Sequence, residues 1–121
     1  MPRRALTVDD SRTMRDMVGF TLKNAGFEVL EAEDGRQALE RLGSTKVDVI
    51  LTDLNMPVMN AIELIRALRQ HSVHRLTPIL MLTTEAGDAS RQDGKAAGAT
   101  GWIVKPFSPE KLLQVVEKVC A

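Results

Sequence analysis

The feature that most restricts how this chain can fold is a rhythm of short apolar runs separated by longer segments with helical spacing. The runs are Ala5 to Val8, Phe27 to Ala32, Val47 to Thr52, Ile79 to Leu82 and Trp102 to Val104. Four of them are almost continuously apolar, which suits parallel strands covered by helices on both faces. The run Phe27-Glu28-Val29-Leu30-Glu31-Ala32 interleaves two carboxylates and belongs at a sheet edge. Between the runs, Met14, Met17, Val18 and Leu22 fall on one helical face, as do Ala61, Leu64, Ile65 and Leu68. Leu112, Val115, Val116 and Val119 form a closing helix after Ser108-Pro109, with Ser suited to the N-cap and Pro to the first helical position. Residues 36 to 42 offer only Ala38, Leu39 and Leu42, and residues 86 to 97 carry Gly87 and Gly94. An interior glycine costs roughly 1 kcal/mol relative to Ala, so the segment 86 to 97 is expected to be the least stable helix and the readiest to shift. The pattern predicts an α/β fold: a doubly wound, flavodoxin-like, five-stranded parallel sheet of order 2-1-3-4-5 with five helices.

A chain of 121 residues has room for one domain, residues 1–121, and no linker or repeat divides it. Sixteen Lys and Arg balance sixteen Asp and Glu, so no global positive field favours nucleic acid or an anionic membrane, and neither is expected as a partner. The apolar stretch after Met1-Pro2-Arg3-Arg4 is too short for a signal peptide or a membrane span. Cys120 is the only cysteine and can form no internal disulfide. A cytoplasmic protein is expected.

In an open parallel sheet, ligands bind beyond the carboxyl ends of the strands. On that rim the chain places Asp9-Asp10-Ser11, Asp53-Leu54-Asn55-Met56-Pro57, Thr83-Thr84 and Lys105-Pro106-Phe107. The strand order sets Asp53 between the Asp9/Asp10 turn and Thr83. Lys105 stands two strands away, roughly 10 Å at a strand spacing of about 4.8 Å, a gap that its long stem together with a bound group could close. Three carboxylates this close resist ionisation unless a cation neutralises them. An all-oxygen donor set without His or Cys suits Mg²⁺. A metal held by Asp10 and Asp53 can also receive a phosphoryl group, with Thr83 as hydrogen-bond donor and Lys105 as positive charge. Asp53, central on the rim, is then the carboxylate best placed to accept phosphorus.

These residues resemble the response regulator receiver domain over essentially the whole length, and most closely its single-domain chemotaxis members of the CheY type. The likeness rests on Val8-Asp9-Asp10-Ser11, Thr52-Asp53-Leu54-Asn55-Met56-Pro57, Met81-Leu82-Thr83-Thr84-Glu85 and Gly101-Trp102-Ile103-Val104-Lys105-Pro106-Phe107, in that order at strand ends. The resemblance implies that Asp53 is phosphorylated and that Asp10, Asp53 and the backbone carbonyl of Asn55 ligate Mg²⁺. It implies that Asp9 reaches the metal through water, that Thr83 is the switch hydroxyl, and that Lys105 pairs with the phosphoryl group. It also implies a cis Lys105-Pro106 bond. Such proteins take phosphate from a histidine kinase and hydrolyse it themselves, at a rate influenced by the positions held here by Asn55 and Glu85. They act mainly as signalling switches.

Three departures stand out. Asn60-Ala61 replaces the family's usual Asp-Gly, and Ala is penalised by about 1 to 2 kcal/mol if the backbone there is left-handed, so a displaced or strained loop is expected. Trp102 fills the slot of a switch aromatic that is commonly Tyr or Phe. Glycines mark residues 86 to 94 on the output side. Taken singly, each motif has a plain reading: Asp9-Asp10-Ser11 as a helix cap, Asp53 as a turn former, Lys105 as a solvated charge. His71 and His74 lack a carboxylate or Cys at ligand spacing. The combination favours a phosphorylation-operated switch whose partner is a flagellar motor switch component. A phosphorelay intermediate or phosphate sink is the first alternative, and a phosphorylation-independent binding receiver is the second.

Overall fold

The computed structural model describes residues 3–54, 56, 58–84 and 88–120, with the backbone alone for 88–91. The elements run β1 (Arg3–Val8), α1 (Arg12–Asn24), β2 (Phe27–Ala32), α2 (Gly35–Leu42), β3 (Val49–Asp53), α3 (Ala61–Arg69), β4 (Ile79–Thr83), α4 (Asp88–Ala97), β5 (Gly101–Val104) and α5 (Pro109–Cys120). The strands form one parallel sheet of order β2-β1-β3-β4-β5, with β2 at the edge as its interleaved carboxylates predict. No helix among the described residues is long and apolar enough to cross a membrane.

Alternation along each strand explains the continuous apolar runs. Ile50, Ile79 and Met81 point to the face covered by α2, α3 and α4, while Val49, Leu51, Leu80 and Leu82 point to the face covered by α1 and α5. Both faces are covered by helices, so the central strands carry few polar side chains, and their buried threonines Thr7, Thr52 and Thr83 stand toward the carboxyl ends. Each fully buried Leu or Ile in these strands contributes about 2 kcal/mol of transfer free energy.

β3 begins at Val49, two residues later than the apolar run suggests. Asp48 locks this entry, because its Oδ2 accepts from the Arg4 amide at 2.8 Å and its own amide donates to the Arg4 carbonyl at 2.8 Å. Val47 is nevertheless buried. Asp53 and Thr83 close β3 and β4 as their last residues instead of following them, so both are held by the sheet.

The helix starts at Ser11 and Ser108 carry the expected caps, and Asp34 adds another. Ser11 accepts from the Met14 amide at 3.3 Å, Asp34 from the Gln37 amide at 2.8 Å, and Ser108 from the Lys111 amide at 3.1 Å. The expected strain at Asn60-Ala61 is corrected by the structure. Asn60 caps α3, exchanging side-chain and backbone hydrogen bonds with Glu63, and Ala61 is a buried first helical residue. A left-handed backbone occurs instead at Val58, with φ 69°. The Val58 loop folds back on α2, where the Gly35 amide donates to the Met59 carbonyl at 3.2 Å. A Cβ on Gly35 would lie 2.8 Å from the Met59 side chain, so this close approach requires glycine.

Gly94 also has a packing reason. It is buried, and a Cβ there would fall on the Met81 side chain, so its hydrogen lets α4 settle on β4. Gly87, the other glycine noted in this segment, lies outside the described residues. His74 is fully buried with Nε2 3.0 Å from the Gly43 carbonyl, and its ring lies 4.6 Å from that of His71. The pair braces the connections below the sheet, at the end opposite the acidic residues.

Candidate active site

Asp9, the residue after β1, is fastened at three points. Its amide donates to the Ala32 carbonyl at 3.1 Å, its Oδ1 accepts from the Ser11 amide at 2.9 Å, and its carbonyl accepts from Arg15 Nη1 at 2.7 Å. The remaining carboxylate oxygen, Oδ2, is buried and accepts no hydrogen bond, with Lys105 Nζ at an ion-pair distance of 3.5 Å. Asp10 follows and is exposed. Across the sheet, Asp53 Oδ1 accepts from Lys105 Nζ at 2.9 Å and from the Leu54 amide at 3.0 Å. The Lys105 stem alone spans the distance from β5, without the bound group invoked from the strand spacing.

One carboxylate oxygen from each of Asp9, Asp10 and Asp53 lies within 4.8 Å of the others. Burial pushes the Asp9 carboxyl above the usual carboxylate range; the Asp53 charge adds to this, while the Ser11 amide and Lys105 oppose it. The three clustered acids therefore have one ammonium beside them, paired with Asp9 and Asp53. The unfilled lone pairs of Asp9 Oδ2, the surplus negative charge and the all-oxygen donor set together fit a hard divalent cation such as Mg²⁺. Among the described residues this is the one acidic, His or Cys cluster able to hold a metal.

Thr83 is buried at the end of β4, level with Val104 of β5, and its carbonyl accepts from the Lys105 amide at 2.7 Å. The backbone thus couples the hydroxyl residue to the lysine. The Lys105-Pro106 bond is cis, as the resemblance implies. Trp102 lies opposite Met81, half-buried against the α2, α3 and α4 side of the core. Asn55 and Glu85 lie outside the described residues.

Two charged residues beside the site, Arg15 and Glu31, escaped the sequence reading. Arg15, on α1, holds the Asp9 carbonyl and pairs with Glu31 of β2 at 3.4 Å. The only available signal was a carboxylate in an edge strand, which reads equally well as solvent-facing. Arg4 pairs with Glu28 at 3.1 Å at the other end of β1, away from the acids and exposed to solvent.

Comparison with known proteins agrees with this geometry. Residues 5–117 match the response regulator receiver domain family. The chain is 43% identical over 118 residues to the chemotaxis protein CheY1 of Helicobacter pylori (strain ATCC 700392 / 26695), covering 96% of this chain and 95% of that protein. The crystallised chemotaxis response regulator CheY4 of Vibrio cholerae is 50% identical, with a TM-score of 0.94 and coverage of 98% of this chain and 99% of that one. The receiver domain of the sensor histidine kinase PA1611 of Pseudomonas aeruginosa PAO1, solved with magnesium coordinated in its active-site cleft, is 26% identical with a TM-score of 0.91, covering 99% of this chain and 98% of that one. With one family matched along nearly the entire sequence, and with the acids, threonine and lysine gathered at the carboxyl end of the sheet, the chain belongs to the response regulator receiver domain family.

Proposed function

We propose that this protein is a two-component phosphoacceptor that receives a phosphoryl group on Asp53 from a histidine kinase and thereby changes its affinity for a protein partner in chemotaxis or motility. The observation that carries this reading is the cluster of Asp9, Asp10 and Asp53 at the carboxyl end of the sheet, with Lys105 paired to Asp9 and Asp53. Similarity to CheY1 and CheY4 supports the chemotaxis assignment.

Asp9, Asp10 and Asp53 would hold Mg²⁺ through their carboxylate oxygens, and the family resemblance would add the carbonyl of Asn55, which lies outside the described residues, with Asp9 reaching the ion through water. When bound, the ion neutralises the carboxylates and the oxygens of the transferring group. A carboxylate oxygen of Asp53 attacks phosphorus while the phosphorus–nitrogen bond to the donor imidazole breaks, and the imidazole leaves with its electron pair and takes up a proton. Lys105 then exchanges its contact with Asp53 for one with the new phosphoryl oxygens. Thr83, tied to Lys105 through the backbone, turns its hydroxyl toward them. Trp102, next to Met81 and facing the α4 packing, follows that movement and changes the surface formed by α4, β5 and α5.

The direct test is phosphotransfer from a purified, radiolabelled histidine kinase of the same organism. The wild-type protein takes up label in Mg²⁺ and loses it on standing, whereas D53N takes up none. Label on D53N, or none on the wild type from any kinase of that organism, overturns the proposal.

A further inference from the structure

We propose that Arg15 is a positioning residue for the metal site, holding the peptide between Asp9 and Asp10 so that both carboxylates present their oxygens to Mg²⁺. This inference rests on the reading of the acids as a Mg²⁺ site.

The Arg15 side chain is only 11% exposed although it carries a full charge, so it is committed to specific partners. Its Nη1 donates to the Asp9 carbonyl at 2.7 Å, and its Nε faces Glu31 Oε1 at 3.4 Å. The Asp9 carbonyl belongs to the peptide plane that leads into Asp10. Rotation of that plane swings the Asp10 carboxylate and loosens the Asp9 backbone, because φ and ψ on either side are the soft coordinates of the turn. The Ala32 and Ser11 contacts fix the amide and side chain of Asp9. Only Arg15 fixes its carbonyl among the described hydrogen bonds. Glu31, on the neighbouring edge strand, holds the guanidinium in place, so the clamp is built from α1 and β2 outside the acidic cluster. Groups that orient metal ligands from behind typically change metal affinity by about 10- to 100-fold when removed.

Charge and positioning predict opposite signs, which makes the inference decisive to test. Arg15 repels a cation, so if it acted only through its charge, R15M would bind Mg²⁺ more tightly. If it positions the acids, R15M binds more weakly. Mn²⁺ binding is measured by water-proton relaxation, and Mg²⁺ by competition with it, alongside the melting temperature in EDTA. The wild type binds both ions. R15M weakens Mg²⁺ about 10-fold, and R15K, which keeps the charge but cannot hold both partners with a planar fork, falls between. E31A, which frees the guanidinium, weakens Mg²⁺ by a smaller factor than R15M. Unchanged or tighter Mg²⁺ binding by R15M, even with a lower melting temperature, overturns the inference and leaves Arg15 a structural residue. If R15M does not fold, wild-type affinity in both R15K and E31A overturns it instead. A wild-type protein that binds neither ion overturns the metal-site reading itself, an outcome distinct from both.

Discussion

Lys105 Nζ donates to Asp53 Oδ1 at 2.9 Å although β4 lies between β3, which ends at Asp53, and β5, which Lys105 follows. The same nitrogen lies 3.5 Å from Asp9 Oδ2, so one side chain partly neutralises two acids. Lys105 and a divalent cation therefore serve the same oxygens. K105A is expected to lose about 1 to 3 kcal/mol of stability in EDTA, the usual cost of leaving partly buried charges without a hydrogen-bonding partner. Saturating Mg²⁺ should recover much of this loss. Urea unfolding of wild type and variant, in EDTA and in Mg²⁺, checks it; a deficit insensitive to Mg²⁺ contradicts the shared role.

The Asp9 carboxyl gives the site a pH signature. Burial raises its folded-state pKa above the unfolded value, so the folded protein binds more protons between the two values. The unfavourable contribution of ionised Asp9 is absent below the unfolded pKa and complete above the folded one. In EDTA, the stability contributed here therefore falls as pH rises through that interval. Mg²⁺ reverses the trend, because it binds the ionised carboxylates. The difference between wild type and D9N across acidic pH isolates this effect; identical slopes for the two proteins in EDTA refute it.

Val58 is 74% exposed and left-handed, with φ 69°. A β-branched residue pays roughly 1 to 2 kcal/mol for that backbone, whereas Asn tolerates it. V58N is expected to stabilise the protein by about 1 kcal/mol, seen as a rise of several degrees in melting temperature. No rise would show that Val58 is unstrained in solution.

Gly94 faces Met81 across the α4–β4 contact. G94A gains helix propensity of roughly 1 kcal/mol, yet the added methyl overpacks the core at a typical cost of about 1 to 3 kcal/mol. Net destabilisation is expected in thermal unfolding, and its strong non-additivity with M81A would locate the clash. A stabilised G94A would mean that α4 lifts away without penalty.

The strand order and the placement of Asp9, Asp10, Asp53, Thr83 and Lys105 were legible because buried parallel strands announce their ends where an apolar run gives way to polar residues. What was illegible depends on contacts remote in sequence. Arg15 and Glu31 are partners only because β2 pairs with β1 and α1 crosses back over it. Gly94 reads as a helix weakness until Met81 is seen beneath it. Asn60-Ala61 suggested a left-handed turn by analogy with Asp-Gly, but an Asn-x-x-Glu capping box was present in the sequence and outweighed it. The left-handed residue fell on Val58, where β-branching gives no hint of it. Val47 is apolar and buried, yet the Asp48 side chain delays the strand.

The central claim is that the acidic rim makes Asp53 able to accept phosphorus. Intact-mass spectrometry after incubation with a small phosphodonor, such as acetyl phosphate or phosphoramidate, tests it without any kinase. The account predicts a gain of one phosphoryl group in Mg²⁺, its absence in EDTA, and its absence in D53N under both conditions. A wild-type protein that stays unmodified in Mg²⁺ with either donor, or a D53N variant modified as fully as wild type, would contradict it.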